Sequence, residues 1–199
     1  GNGTGGTGAL NITNGTVRSS FASTVGLGDN SVSELNQVGG TLDLSATQFS
    51  IGWGTSSVAR LKIAGGSASI GQLVVVGGSR ATNCVATLEL SGGTLGVGRL
   101  TASSAIGARS NLWLSGGTLA ALGNLTNALT VTLTNSPGPG LVTVDSITNT
   151  FLQSGLLTGP GGLAKAGAGQ MTLTQDNDFT GETRVNAGIS SASHSFSGV

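Results

Sequence analysis

One pattern, repeated five times in register, constrains the fold of this chain more than any other feature. Leu10-Asn11-Ile12 with Asn14-Gly15-Thr16-Val17 recurs as Leu35-Asn36-Gln37 with Gly39-Gly40-Thr41-Leu42, and again as Leu61-Lys62-Ile63 with Gly65-Gly66-Ser67-Ala68. It returns as Leu88-Glu89-Leu90 with Gly92-Gly93-Thr94-Leu95 and as Leu112-Trp113-Leu114 with Gly116-Gly117-Thr118-Leu119. The leading leucines stand 25, 26, 27 and 24 residues apart. A period of this length marks stacked repeats, in which no single unit can bury its own apolar face.

Within each copy the apolar residues alternate, which is the period of a half-buried strand, and helical spacing is absent. A second short strand follows each glycine corner, and a third apolar stretch closes on a glycine at Val25-Gly26, Ile51-Gly52, Val76-Gly77 and Ile106-Gly107. Three short strands and three corners make one triangular coil of about 25 residues. Stacked coils pair their strands in parallel and share a core. The expected fold is therefore all-β, a parallel β-helix or β-solenoid. Leu10, Leu35, Leu61, Leu88 and Leu112 are expected to form one buried column. The intervening residues Asn11, Asn36, Lys62, Glu89 and Trp113 should point outward, with Lys62 and Glu89 an exposed pair on adjacent coils.

Composition agrees with this reading. The chain is 37% hydrophobic and 8% charged, which leaves ample apolar surface for folding and too little charge for a disordered chain. Eight basic and eight acidic residues cancel, so there is no field to attract nucleic acid or an anionic membrane. Apolar runs such as Leu73-Val74-Val75-Val76 fall far short of the roughly 20 residues of a membrane-spanning helix, and no membrane insertion of this segment is expected. Cys84 stands alone, which excludes an internal disulfide and a cysteine zinc cluster.

From residue 127 the repeat blurs, although Leu129 to Leu133 and Leu141 to Val144 still alternate around Pro137-Gly138-Pro139-Gly140. The style changes again at Gly159-Pro-Gly161-Gly162-Leu163-Ala-Lys165-Ala-Gly167-Ala-Gly169-Gln-Met171-Thr-Leu173, followed by Asn177-Asp-Phe179-Thr180-Gly181-Glu-Thr183-Arg-Val185-Asn186-Ala187-Gly188. This stretch resembles the passenger-associated strand repeat of autotransporters, with Phe179 where the family usually has tyrosine and Ile189-Ser190 where it has Thr-Leu. The earlier coils resemble the glycine-rich repeats found beside that motif in large bacterial surface proteins. The resemblance implies a right-handed parallel β-helix, secreted from or displayed on a Gram-negative type of bacterium. One continuous domain is expected, with regular coils over 1–126, irregular coils over 127–157, the strand repeat over 158–189 and a tail over 190–199.

Chemistry is sparse. β-Helix enzymes acting on polysaccharides gather carboxylates about 5–10 Å apart on one face. Here only Asp176, Asp178 and Glu182 cluster, in a turn that the family motif already accounts for. His194, the single histidine, has no catalytic or metal partner nearby in sequence. Gly1-Asn-Gly3-Thr-Gly-Gly6 lacks the strand and helix that a phosphate cradle needs. No catalytic, cofactor-binding or metal-binding residues are assigned, and no enzyme activity is expected. Trp53 and Trp113 are the candidate surface contacts. The chain is expected to be a structural extracellular subunit whose main partner is itself, stacking head to tail into a filament because its ends show no caps. An adhesin or display stalk meeting glycans or a host or cell surface is the alternative reading, and a polysaccharide-active enzyme is a more distant third.

Overall fold

The structure, a computed structural model, describes residues 5–26, 28–76 and 81–192. Every regular element among them is a β-strand, and every strand pairing is parallel. The first coil holds β1 (Thr7–Ile12), β2 (Thr16–Arg18) and β3 (Ser23–Val25). The next three hold β4 (Val32–Gln37) and β5 (Thr41–Ile51), β6 (Val58–Ile63) and β7 (Ser67–Val75), and β8 (Val85–Leu90) and β9 (Thr94–Ala102). From the fifth coil on, three strands reappear. They are β10 (Arg109–Leu114), β11 (Thr118–Ala121) and β12 (Leu125–Asn127), then β13 (Val131–Leu133), β14 (Leu141–Asp145) and β15 (Thr150–Gln153), then β16 (Leu157–Thr158), β17 (Gly162–Ala166) and β18 (Gln170–Leu173). Two further strands, β19 (Thr183–Val185) and β20 (Ile189–Ala192), stack beyond these.

Three sheets build this β-solenoid, the third of them only from β12 on. The first has order β1-β4-β6-β8-β10-β13-β16, the second β19-β17-β14-β11-β9-β7-β5-β2 with β3 also on β5, and the third β12-β15-β18-β20. In the second to fourth coils the second and third strands of the triangle run together as β5, β7 and β9. In β5 no Gly or Pro forces a corner, and its pairing with β7 shifts register between Leu44 and Gln48, whereas β7 and β9 carry the stacked Gly71 and Gly98 at this place.

The leading leucines lie in one register, Leu10 against Leu35, then Leu61, Leu88 and Leu112, and the column continues through Val131 and Leu157. Leu35, Leu61, Leu88 and Leu112 are buried, but Leu10 is 47% exposed, because no described strand stacks on its free side. Ile106 also departs from expectation: it is 82% exposed in the turn before β10, where its carbonyl accepts the Asn83 N–H. The second sheet carries a parallel column, Val17, Leu42, Ala68, Leu95, Leu119 and Val144.

Glycine corners stack as closely as the strands. Gly66 has φ +73°, and a Cβ there would lie 2.4 Å from the Gly40 carbonyl oxygen of the coil below. Any larger residue must both adopt a left-handed backbone and push the coils apart.

Candidate binding surfaces

The outer face of the first sheet carries a ladder of Asn11, Asn36, Lys62, Glu89, Trp113 and Thr132. Asn36 Nδ2 donates to Asn11 Oδ1 at 3.3 Å, and Lys62 Nζ lies 3.7 Å from Glu89 Oε1. A second outward column sets Arg60 3.9 Å from Glu34, and Asn111 Nδ2 donates to Thr87 Oγ1 at 3.3 Å. The Lys62–Glu89 pair is not the exposed one expected: Glu89 is only 8% exposed. Its strand neighbours are two large side chains, Lys62 on one side and Trp113 on the other, spaced by one strand separation of about 4.8 Å. Trp113 stands in the middle of β10, whereas half-buried Trp53 sits at the corner after β5, where its backbone N–H donates to Gly26 O at 2.9 Å. The two indoles belong to different coils and different faces, so they do not form one aromatic platform.

The acidic groups are dispersed. Asp43 is held below the usual carboxylate range by hydrogen bonds from the Ser45 hydroxyl and N–H and by Arg18, and Glu182 by the hydrogen bond from Arg184. Asp29 Oδ1 accepts the Thr55 N–H and Asp145 Oδ1 the Ile147 N–H, both at 2.7 Å. Among the described residues no three His, Cys, Asp or Glu are grouped to hold a metal ion, and no helix is long and apolar enough to cross a membrane. Cys84 is buried, accepts a hydrogen bond from Ser57 Oγ at 3.3 Å, and has its thiol pushed up by burial. His194 and Gly1 to Thr4 lie outside the described residues.

An open groove of about 510 Å³ lies on the surface. β9 pairs with β11 only over Thr94 to Val97, so residues 99–102 end as an unpaired edge. β12 is the edge strand of the third sheet. The groove lies between these two edges, with Arg99, Thr101, Asn124 and Thr126 around the apolar Leu100 and Leu125. Nothing in the sequence marks it, because it results from a change in coil shape and from no motif.

The last coils are closed by polar groups instead. In the second-sheet column, Val144 is followed by Lys165 and then Val185. Lys165 is therefore an inward residue, and it is fully buried. Its Nζ donates to the carbonyls of Ala166, Gly167 (2.8 Å) and Ala187 (3.2 Å), where the chain turns at Gly167 and Gly188. Desolvation lowers its pKa, opposed by the charge of Asp145. Asn177 is buried after the leucine column: its Oδ1 accepts the Leu157 N–H at 2.8 Å and its Nδ2 donates to Gln175 O at 2.8 Å. Phe179 is buried on the same segment, where Thr180 N–H donates to Gly159 O at 2.9 Å. Gly181 crosses Gly161 so closely that a Cβ would lie 2.2 Å from its carbonyl carbon. Gly162, Gly169 and Gly188 also lie under or over neighbouring backbone. Leu163 is in the core, and Asn186 N–H donates to Lys165 O at 2.8 Å.

Residues 163–189 match the family model of the passenger-associated-transport-repeat. This stretch is similar to a passenger repeat. A search of curated proteins adds the Adhesin BmaC autotransporter of Brucella suis biovar 1 (strain 1330), 40% identical over 78 residues, which is 39% of this chain and 2% of that protein. The chain thus spans a small fraction of the relative it matches. No solved structure matches. Within the passenger repeat, Thr180, Val185, Asn186 and Ala187 are exposed, while Lys165, Asn177 and Phe179 point inward. The inward role of Lys165 was not readable from its neighbours, since a lysine among Ala and Gly resembles a solvated position. Only the motif singled it out.

Proposed function

We propose that this chain is a segment of a surface passenger, a non-enzymatic β-solenoid stalk displayed outside a Gram-negative cell and serving adhesion. The observation that carries this reading is the continuity of the passenger repeat with the glycine-cornered coils before it: the second sheet runs without a break from β2 to β19, through both. That the relative is an adhesin supports the adhesive part. The scattered acids, each engaged in structural contacts or apart from the others, give no acid–base pair on a common face, which favours a structural role. Antibodies raised against the purified chain should label intact source cells or detect it in the culture fluid. Labelling only after permeabilisation would overturn the reading.

Head-to-tail stacking is a second reading, favoured by the two end faces. Leu10 is exposed on the first coil, and Val185 and Ile189 are 54% and 63% exposed on the last strands. Apolar coil faces and open strand edges of this kind pair with another coil, whether from a longer chain or a second copy. Light scattering across a concentration series tests it: growth into rods supports stacking, and a constant monomer mass refutes it.

A further inference from the structure

We propose that the groove between β9 and β12 binds an acidic oligosaccharide, with Arg99 taking its carboxylate. The volume of about 510 Å³ falls inside the roughly 300–1,000 Å³ range of small-molecule sites. Its polar groups are biased toward donors. Arg99 is exposed and forms no salt bridge among the described residues, and no acidic residue lines the groove. Asn124 Oδ1 is already committed to the Thr150 N–H at 3.0 Å, which turns its Nδ2 donors away from that contact. A guanidinium fork beside an amide N–H donor suits a carboxylate. The hydroxyls of Thr101 and Thr126 add groups that both donate and accept, as sugar hydroxyls require, and exposed Ala128 with half-buried Leu129 offers an apolar surface to the C–H face of a ring.

An extended peptide is the other occupant that two unpaired strand edges invite. The spacing argues against it. Cα atoms of β9 and β12 approach within 8 Å, whereas a strand inserted between them needs two separations of about 4.8 Å each. Below the groove the outward column Gln48, Gln72 and Arg99 continues a polar track along the solenoid axis, so a chain longer than the groove finds further hydrogen-bonding side chains.

The inference rests on the passenger reading only for where such a glycan is met, and its test uses the purified chain, so each can fail alone. Titration with trigalacturonate and with 3′-sialyllactose, followed by amide NMR, should give saturable shifts confined to 98–102 and 124–129 below about 10 mM. The methyl ester of trigalacturonate and the Arg99→Ala variant should each bind at least about tenfold more weakly. Arg109→Ala, on an exposed residue of another face, should bind as the wild type does. Thr126→Trp, which fills the groove, should abolish binding while the melting temperature stays unchanged. No saturable shift with either acidic sugar, shifts elsewhere, an unaffected Arg99→Ala, or tighter binding of an acidic tripeptide at the same residues would each overturn the proposal.

Discussion

The same column of the second sheet is built in two ways in its two halves. From Val17 to Val144 it is filled by apolar side chains, and at Lys165 it is filled by an ammonium group. In the first half each coil spends 24–27 residues between leading leucines, and a neutral amide suffices at one corner, where buried Gln37 donates to the Gly40 and Ser67 carbonyls. In the passenger repeat Leu163 and Thr183 are paired at a separation of 20 residues. With fewer residues for its corners, the chain turns Ala166, Gly167 and Ala187 carbonyls toward the interior. Carbonyls without donors would be costly there, and the lysine supplies the donors. An inward position in a solenoid therefore requires whatever its corner exposes, which need not be apolar.

The strongest way to break this comparison is to put a charge without partners into the apolar half. Leu88 is buried between Leu61 and Leu112 with only hydrocarbon above and below it in the column. Leu88→Asp should cost more than about 4 kcal/mol and leave no cooperative transition in a urea melt. A folded Leu88→Asp would mean that the core tolerates charge generally and that nothing special is arranged around Lys165.

The converse test is Lys165→Met, which keeps the stem and removes the donors. Two or three carbonyls lose their partners, and the loss should be about 3 kcal/mol, with faster hydrogen exchange over 163–189 than over the first coils. The pH profile sharpens it. Lys165 has a folded pKa below the ordinary 10.5 because burial disfavours its charge. Between that lowered value and 10.5 the unfolded chain binds more protons than the folded one, so this group makes stability rise with pH across that window. The rise should be present in the wild type and absent in Lys165→Met. Equal stability and equal slopes would reduce the lysine to a hydrophobic stem.

These contrasts also show what the sequence could and could not reveal. The leucine column was legible because every coil repeats its spacing, so strand period and stacking follow from the same residues. Leu10 has the same local pattern as Leu35, and only the absence of a described neighbour on one side makes it exposed. The merging of β5, β7 and β9 was not legible, because β5 bends without Gly or Pro, while Gly71 and Gly98 at the same place in β7 and β9 read as corners yet leave the strands uninterrupted. The groove that follows from them was equally hidden. Lys165 was visible as a motif letter, but its inward direction depends on carbonyls that only the folded corner brings together.

The smallest effect separates the two ion pairs on the outer face of the first sheet. Period-two alternation assigns both to solvent, and an exposed pair contributes about 0–1 kcal/mol. Glu34 and Arg60 fit that description, with side chains 39% and 41% exposed. Glu34→Ala should therefore change stability by less than about 0.5 kcal/mol, and its coupling to Arg60 should vanish in roughly 1 M salt. Glu89 differs because Lys62 and Trp113 flank it, and its carboxylate faces Lys62 in a site that water reaches poorly. Weaker screening strengthens the pair, so Glu89→Ala should cost about 1–2 kcal/mol and keep part of its coupling to Lys62 in salt. Trp113→Ala opens one side of the carboxylate, and in that background the cost of Glu89→Ala should fall to the Glu34→Ala value. Equal costs for the two glutamates in the wild type, measured by urea unfolding in a double-mutant cycle, would mean that the indole shields nothing.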